Sequence, residues 1–179
     1  MKKLKKSTLI FLLISLLGCS KEDSSSEERT FADLSGTWEV TSFSYNGSTT
    51  FNDIETNESW GTSYHAEGWM LDFRVTFQEN PNNYSFNGNY NVDFYYTYPD
   101  GEEYLFYGNL DKDDNGTYVR NSDTNLTFNE GGVFKHVTIH ELNDSTLKYS
   151  THETSSITTS ENILETRTRT ETYIFERNN

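Results

Sequence analysis

Apolar and polar residues alternate along most of the chain with a period of two. Trp69, Leu71, Phe73, Val75 and Phe77 interleave with Met70, Asp72, Arg74, Thr76 and Gln78. Such a rhythm gives an extended strand one apolar face, whereas a helix would mix Asp72 and Arg74 with the rings. Turn residues punctuate the remainder. Glu79 to Asn83 contains Pro81 and closes that strand, and Tyr84 to Tyr98 follows with a kink expected at Asn87-Gly88. Pro99-Asp100-Gly101 reverses the chain into Tyr104 to Leu110, and Asp113-Asp114-Asn115-Gly116 reads as a further hairpin. Short strands are expected at Tyr118 to Arg120 and Leu126 to Phe128. Longer ones are expected at Val133 to Leu142, Leu147 to Thr154 and Leu164 to Arg177. Asn46 to Gly68 shows no clear period and reads as a long loop that packs down through Phe51, Ile54, Trp60 and Tyr64.

The prediction is an all-β, antiparallel up-and-down barrel of about eight to ten strands, without a convincing helix. Sequential strands joined by tight turns form a meander, and closure removes its exposed edges. Composition agrees. The chain has 12 Phe, 12 Tyr and 3 Trp, all at home in strands, and its only alanines are Ala32 and Ala66.

Charge narrows the partners. The 179 residues carry 14 Lys and Arg against 28 Asp and Glu, a net charge of −14. A nucleic-acid partner is not expected, because phosphates need a basic face. A single Cys excludes an internal disulfide.

The first eighteen residues read as an address. Lys2, Lys3, Lys5 and Lys6 precede the apolar run Leu9 to Leu17, which is too short to span a bilayer. The run ends Leu16-Leu17-Gly18-Cys19, which resembles the lipobox of bacterial lipoproteins. That resemblance implies cleavage before Cys19 and acylation of it, giving a membrane anchor. Residues 19–32 then form an acidic tether with almost no apolar residue, leaving 33–179 as the domain. Lys21-Glu22-Asp23 behind the Cys resembles the surface-export signal of bacteroidete-type lipoproteins. It implies the outer membrane, facing the cell exterior; a plain acidic spacer facing the periplasm is the other reading.

The segment Leu34-Ser35-Gly36-Thr37-Trp38-Glu39-Val40 opens the first strand with Gly-x-Trp. It resembles the signature of the lipocalins (calycin-type barrels). Gly116-Thr117-Tyr118 leading to Leu126-Thr127-Phe128, Ile139 to Lys148, and Tyr173 to Arg177 resemble bacterial lipocalin-like lipoproteins. The resemblance implies that Trp38 plugs the closed end of the barrel under a cation from the last strand, with Arg177 first in line and Arg169 second.

Candidate chemistry is sparse. His136 and His140 would stand about 13 Å apart on one strand face, too far to share a metal. Cys19 is the sole Cys, and no nucleophile-elbow, zinc-helix or phosphate-loop motif occurs. Asp111, Asp113 and Asn115 match the first half of a calcium loop, but Ser122 stands where the bidentate Glu belongs, so a polar hairpin tip is the simpler reading. The final strand alternates Thr166, Thr168, Thr170 and Thr172 with Glu165, Arg167, Arg169 and Glu171. The charged side is expected to face solvent.

No cofactor and no catalysis are expected, and the protein is expected to be a monomer. A small hydrophobic or amphipathic ligand is expected among Phe73, Val75, Phe77, Tyr90, Phe94, Tyr96 and Phe106, the alternative for these rings being solid core. A protein-interaction module with a filled barrel and a carbohydrate-binding accessory protein are the rival functions. The second would use Trp60, Tyr95 or Tyr107 as a stacking ring.

Overall fold

A computed structural model describes residues 32–178. Its nine strands are β1 (Gly36–Asp53), β2 (Ser59–Gln78), β3 (Asn83–Thr97), β4 (Glu103–Lys112), β5 (Asn115–Arg120), β6 (Asn125–Glu130), β7 (Val133–Leu142), β8 (Thr146–Thr158) and β9 (Ile163–Arg177). All pair antiparallel, and no helix occurs among the described residues. The sheet runs β2-β1-β9-β8-β7-β6-β5-β3-β4, and a β2–β3 pairing closes it into a ring. This is an all-β antiparallel barrel.

β4 and β5 occupy one place in the ring. Both pair with β3 in a single continuous register, Gly88 with Lys112 and Ser85 with Asn115. The hairpin expected at Asp113–Gly116 is therefore absent. Asp113 and Asp114 interrupt the ladder without reversing it, and the Phe86 amide donates to the Asp114 carbonyl at 2.6 Å. The Asp and Asn content that suggested a turn serves a local irregularity instead. Eight strand positions result, a size whose interior side chains can fill.

The expected loop at Asn46–Gly68 is also corrected. It is the end of β1 and the start of β2, paired from Ser44–Glu67 to Asn52–Ser59 around a short turn. Asp53 caps that turn, accepting the Glu55 and Thr56 amides at 2.8 and 3.0 Å. The period of two is hidden because Ala66 alone in this stretch is buried, so little forces apolar residues onto one side.

The core fills the closed base. Trp38, Phe73, Val75, Phe77, Leu126, Phe128, Leu147, Tyr149, Tyr173 and Phe175 are each at most 3 % exposed. Rings meet edge-on and stacked throughout, as with Phe77 edge-on to Tyr118 at 5.4 Å and Tyr149 stacked on Phe175 at 5.5 Å. Gly88 permits the tight crossing of β3 over β2. It sits at φ 130°, and a Cβ there would lie 2.0 Å from the Asp72 carbonyl oxygen.

β6 is short and turns into β7 at Gly131-Gly132, both at positive φ. Above that tip the wall is a sheet of six strands, β8-β9-β1-β2-β3-β4. There, among the described residues, β4 pairs only with β3, and β8 beyond Thr151 pairs only with β9.

Candidate functional site

The two ends of the barrel have opposite chemistry. At the base, Trp38 is fully buried, and its indole N–H donates to the Leu34 carbonyl at 2.9 Å. Arg177 pairs with Trp38 across β1 and β9, and its guanidinium lies 4.1 Å from the ring centroid. The same guanidinium donates to the carbonyls of Ser35, Asp33 and Asp144 at 2.6, 2.9 and 3.0 Å. One side chain thus ties the segment before β1, the β7–β8 turn and the last strand to the indole. Asp33 is held below the usual carboxylate range, first by the Ser35 hydroxyl, with burial acting the other way and the Ser35 amide and Arg177 helping.

Four of the residues expected to line a ligand cavity, Phe73, Val75, Phe77 and Tyr90, belong to this packed base at 3, 0, 1 and 5 % exposure. They face neighbouring rings rather than a cavity, because β5, β6, β7 and β8 complete the ring at this end and add Tyr118, Phe128, Ile139 and Tyr149 to the same core. Burial pushes Tyr90 up to about 12 and, with help from Glu130 and Asp114, Tyr84 likewise.

A polar layer covers the core. Lys112, Asp114, Glu130, Lys135, Thr151 and Glu171 line a narrow gap of about 20 Å³ together with the rings below. Lys112 pairs with Asp114 at 2.8 Å and lies over the Phe86 ring, and Tyr173 donates to Glu171 at 3.0 Å.

Above that layer the mouth opens into a cleft of about 520 Å³ lined by Tyr45, Thr49, Tyr64, Tyr96, Glu153, Ser155, Arg167 and Arg169. Register explains the gathering. One ladder of partners crosses six strands, Glu153–Arg169–Gly47–Tyr64–Tyr96–Tyr104. Gly47 leaves a depression in it. Tyr64 leans over that depression, and its hydroxyl donates to the Thr168 carbonyl at 3.0 Å. Tyr45 stacks on Tyr64 at 5.3 Å, Tyr64 meets Tyr96 at 5.7 Å, and Tyr96 meets Phe106 edge-on at 5.3 Å. Facing this aromatic run, Arg169 binds Glu153 through Nε at 2.8 Å and through Nη2, and Arg167 binds Glu165. Partial burial, then the Tyr45 hydroxyl, push Tyr64 up to about 12, with Arg169 acting the other way. Burial weighs against the Arg169 charge, but Glu171 and Glu153 outweigh it and raise its pKa.

The charged side of β9 therefore faces the cleft, and its threonines face out, where Thr168 meets Ser48 at 2.9 Å and Thr166 meets Ser156 at 3.0 Å. This reverses the expectation. Tyr173 and Phe175 point into the core, and Glu171, Arg169 and Arg167 share their parity. That signal was present in the sequence. It is overlooked when the inside of a barrel is assumed to be dry. Arg169, second in line to cover Trp38, belongs to the cleft instead.

Phe94 is half-buried against the core, edge-on to Tyr45 at 5.8 Å, and Phe106 is 52 % exposed; neither lines the cleft. The three rings considered for glycan stacking do not converge. Trp60 stacks on Phe51 at 5.7 Å on the inner face, whereas Tyr95 stacks on His65 at 4.7 Å on the outer face beside Tyr107. Asp111, Asp113 and Asn115 are spread along one exposed strand face rather than wrapped as a loop, so they do not converge on an ion. No cluster of His, Cys, Asp and Glu able to hold a metal occurs among the described residues. Cys19, the signal segment 1–18 and nearly all of the tether 19–32 lie outside the described residues.

A closed antiparallel barrel, solid and plugged at one end and open over a lined cleft at the other, is the architecture of a binding protein. Residues 34–149 match the lipocalin-like domain family, and the chain belongs to it. No curated protein and no solved structure matches the chain.

Proposed function

We propose that this is a lipid-anchored, non-catalytic binding protein. It takes a small amphipathic, ring-bearing molecule into the mouth cleft and is held through acylated Cys19 at the outer membrane, facing the cell exterior. The cleft carries the reading. Its tyrosine run offers apolar faces to a ring, and Arg167, Arg169, Glu153, Thr49 and Ser155 offer donors and acceptors on the opposite wall. The two Arg–Glu pairs keep the wall close to charge balance, which favours a polar uncharged edge over a fully ionic ligand. A purely hydrocarbon ligand would strip water from those charges without replacing it. Membrane attachment is supported by the Leu16–Cys19 motif and the basic segment before it.

Native mass spectrometry of protein purified from its own host, followed by titration with whatever is released, tests ligand carriage. Binding that weakens roughly tenfold in Tyr64→Ala, about 1.4 kcal/mol, supports the cleft. Persistent absence of any bound small molecule, or binding indifferent to Tyr64, retires it. Labelling with a palmitate analogue, lost in Cys19→Ser, tests the anchor, and protease accessibility on intact cells tests its orientation.

A further inference from the structure

Most sheet edges in natural proteins are short, charged, bulged or covered. β4 departs from that rule. It runs ten residues, pairs among the described residues only with β3, and from Tyr104 to Leu110 carries no charge. Both of its faces are apolar and exposed. Tyr104, Phe106 and Leu110 are 48, 52 and 37 % exposed on the inner side, and Leu105 and Tyr107 are 41 and 74 % exposed on the outer side. The other end of the six-strand wall, β8 from Thr154 to Thr158, is a run of small hydroxyl residues with one Ile. The apolar edge is therefore confined to β4.

Acidic groups bracket it. Asp100, Glu102 and Glu103 stand at one end, and Asp111 and Asp113 at the other, all exposed. Lys112 is taken by Asp114. A second copy of the chain fits this pattern badly. An antiparallel two-fold pair keeps inner residues opposite inner ones. Two registers overlap the strand most fully: the one centred on Tyr107 sets Glu103 against Asp111 at both ends, and the one centred on Gly108 sets Glu103 against Asp113, just past the strand. Like charges directly opposite destabilise a strand pair, and each copy brings a net charge of −14.

We propose that the free edge of β4 is a docking site for an extended segment of another protein, apolar in its middle and basic at both ends, added as a further strand. Backbone hydrogen bonds to the open edge would supply affinity, the rings on both faces would flank the added strand, and the acidic ends would select its charge. The site lies beside the ligand cleft but does not use its Arg–Glu wall.

The test uses the full-length chain and three synthetic peptides: Lys-Arg-Thr-Val-Tyr-Val-Thr-Ile-Lys-Arg, the same core with Glu-Asp ends, and the basic peptide with Pro at its central Tyr. Hydrogen exchange read by mass spectrometry should slow across Glu103–Lys112 with the first peptide only. Its affinity should exceed that of the acidic peptide by roughly tenfold. The double variant Glu103→Lys, Asp111→Lys, whose side chains are exposed and whose fold is checked by circular dichroism, should reverse the preference. The proposal is overturned if no peptide protects β4, or if the acidic and basic peptides bind the native chain equally. Protection confined to the cleft also overturns it. So does protection of β4 that grows with protein concentration alone and tracks a dimer in sedimentation, since the occupant is then a second copy.

Discussion

Tyr64 lies across Gly47. The two are partners on β2 and β1, and a Cβ on Gly47 would stand 2.4 Å from Tyr64 Cε2 and equally close to the Thr168 carbonyl oxygen. Gly47→Ala should therefore lift the tyrosine, break its bond to Thr168 and strain the β1–β9 pair. The expected cost is about 1–3 kcal/mol in a denaturant titration, with ligand affinity falling as the stacked wall is disrupted. Tyr64→Phe keeps the ring and removes only the hydroxyl. It should cost about 0.5–1.5 kcal/mol and leave the stacking wall in place. If the two variants behave alike, Gly47 is not what positions the ring.

How far this arrangement could be read from the chain depends on burial. Trp69 to Phe77 alternates cleanly because one of its faces enters the core, and the Gly-x-Trp start marks the buried indole. Asn46 to Gly68 does not alternate, because apart from Ala66 both faces of that sheet stay partly wet, and without a period it reads as a loop. Arg167 and Arg169 looked like surface residues for the same reason. A solvated interior imposes no hydrophobic pattern, so only their parity with Tyr173 and Phe175 reports where they point. Pairing across distant strands, which brings Glu153 to Arg169 and Tyr45 to Tyr64, has no local signal at all.

The base should be the stability centre. Trp38→Ala removes the largest fully buried side chain and should cost about 3–5 kcal/mol, read as a lower denaturation midpoint and loss of near-ultraviolet dichroism. Arg177→Lys is the more discriminating change. A lysine retains the charge but lacks the planar fork that reaches Ser35, Asp33 and Asp144 at once. A loss of about 1–2 kcal/mol is expected from the forfeited hydrogen bonds. Stability equal to the parent would mean that the cation over the indole matters and the three carbonyl bonds do not.

At the cleft, stability and binding should separate. The Glu153–Arg169 pair is half-exposed, at 36 and 42 %. Glu153→Gln is therefore expected to change stability by less than about 1 kcal/mol. The same change frees the guanidinium from its carboxylate and unbalances the wall that faces the tyrosines. Ligand affinity should shift several-fold while the melting midpoint scarcely moves. A large stability loss without a binding change would recast the pair as part of the scaffold.

Alkaline pH should unfold the barrel from its base. Tyr84 and Tyr90 are pushed up to about 12 from an ordinary 10, chiefly by burial, and Tyr149 and Tyr173 are raised in the same direction for the same reason. The folded state holds these protons more tightly than the unfolded one. Their contribution is therefore intact below pH 10, declines above it, and is lost as pH climbs through about 12. Denaturant midpoints should hold below pH 10 and then drop steeply. Phenolate absorbance should include a late stage in which the core tyrosines ionise together with the loss of β-sheet dichroism. Tyr90→Phe keeps the ring and removes one raised group, so it should move the alkaline transition to higher pH. A single absorbance stage near pH 10 with the sheet intact would show that the core hydroxyls reach solvent without unfolding, and the packed base would have to be redrawn.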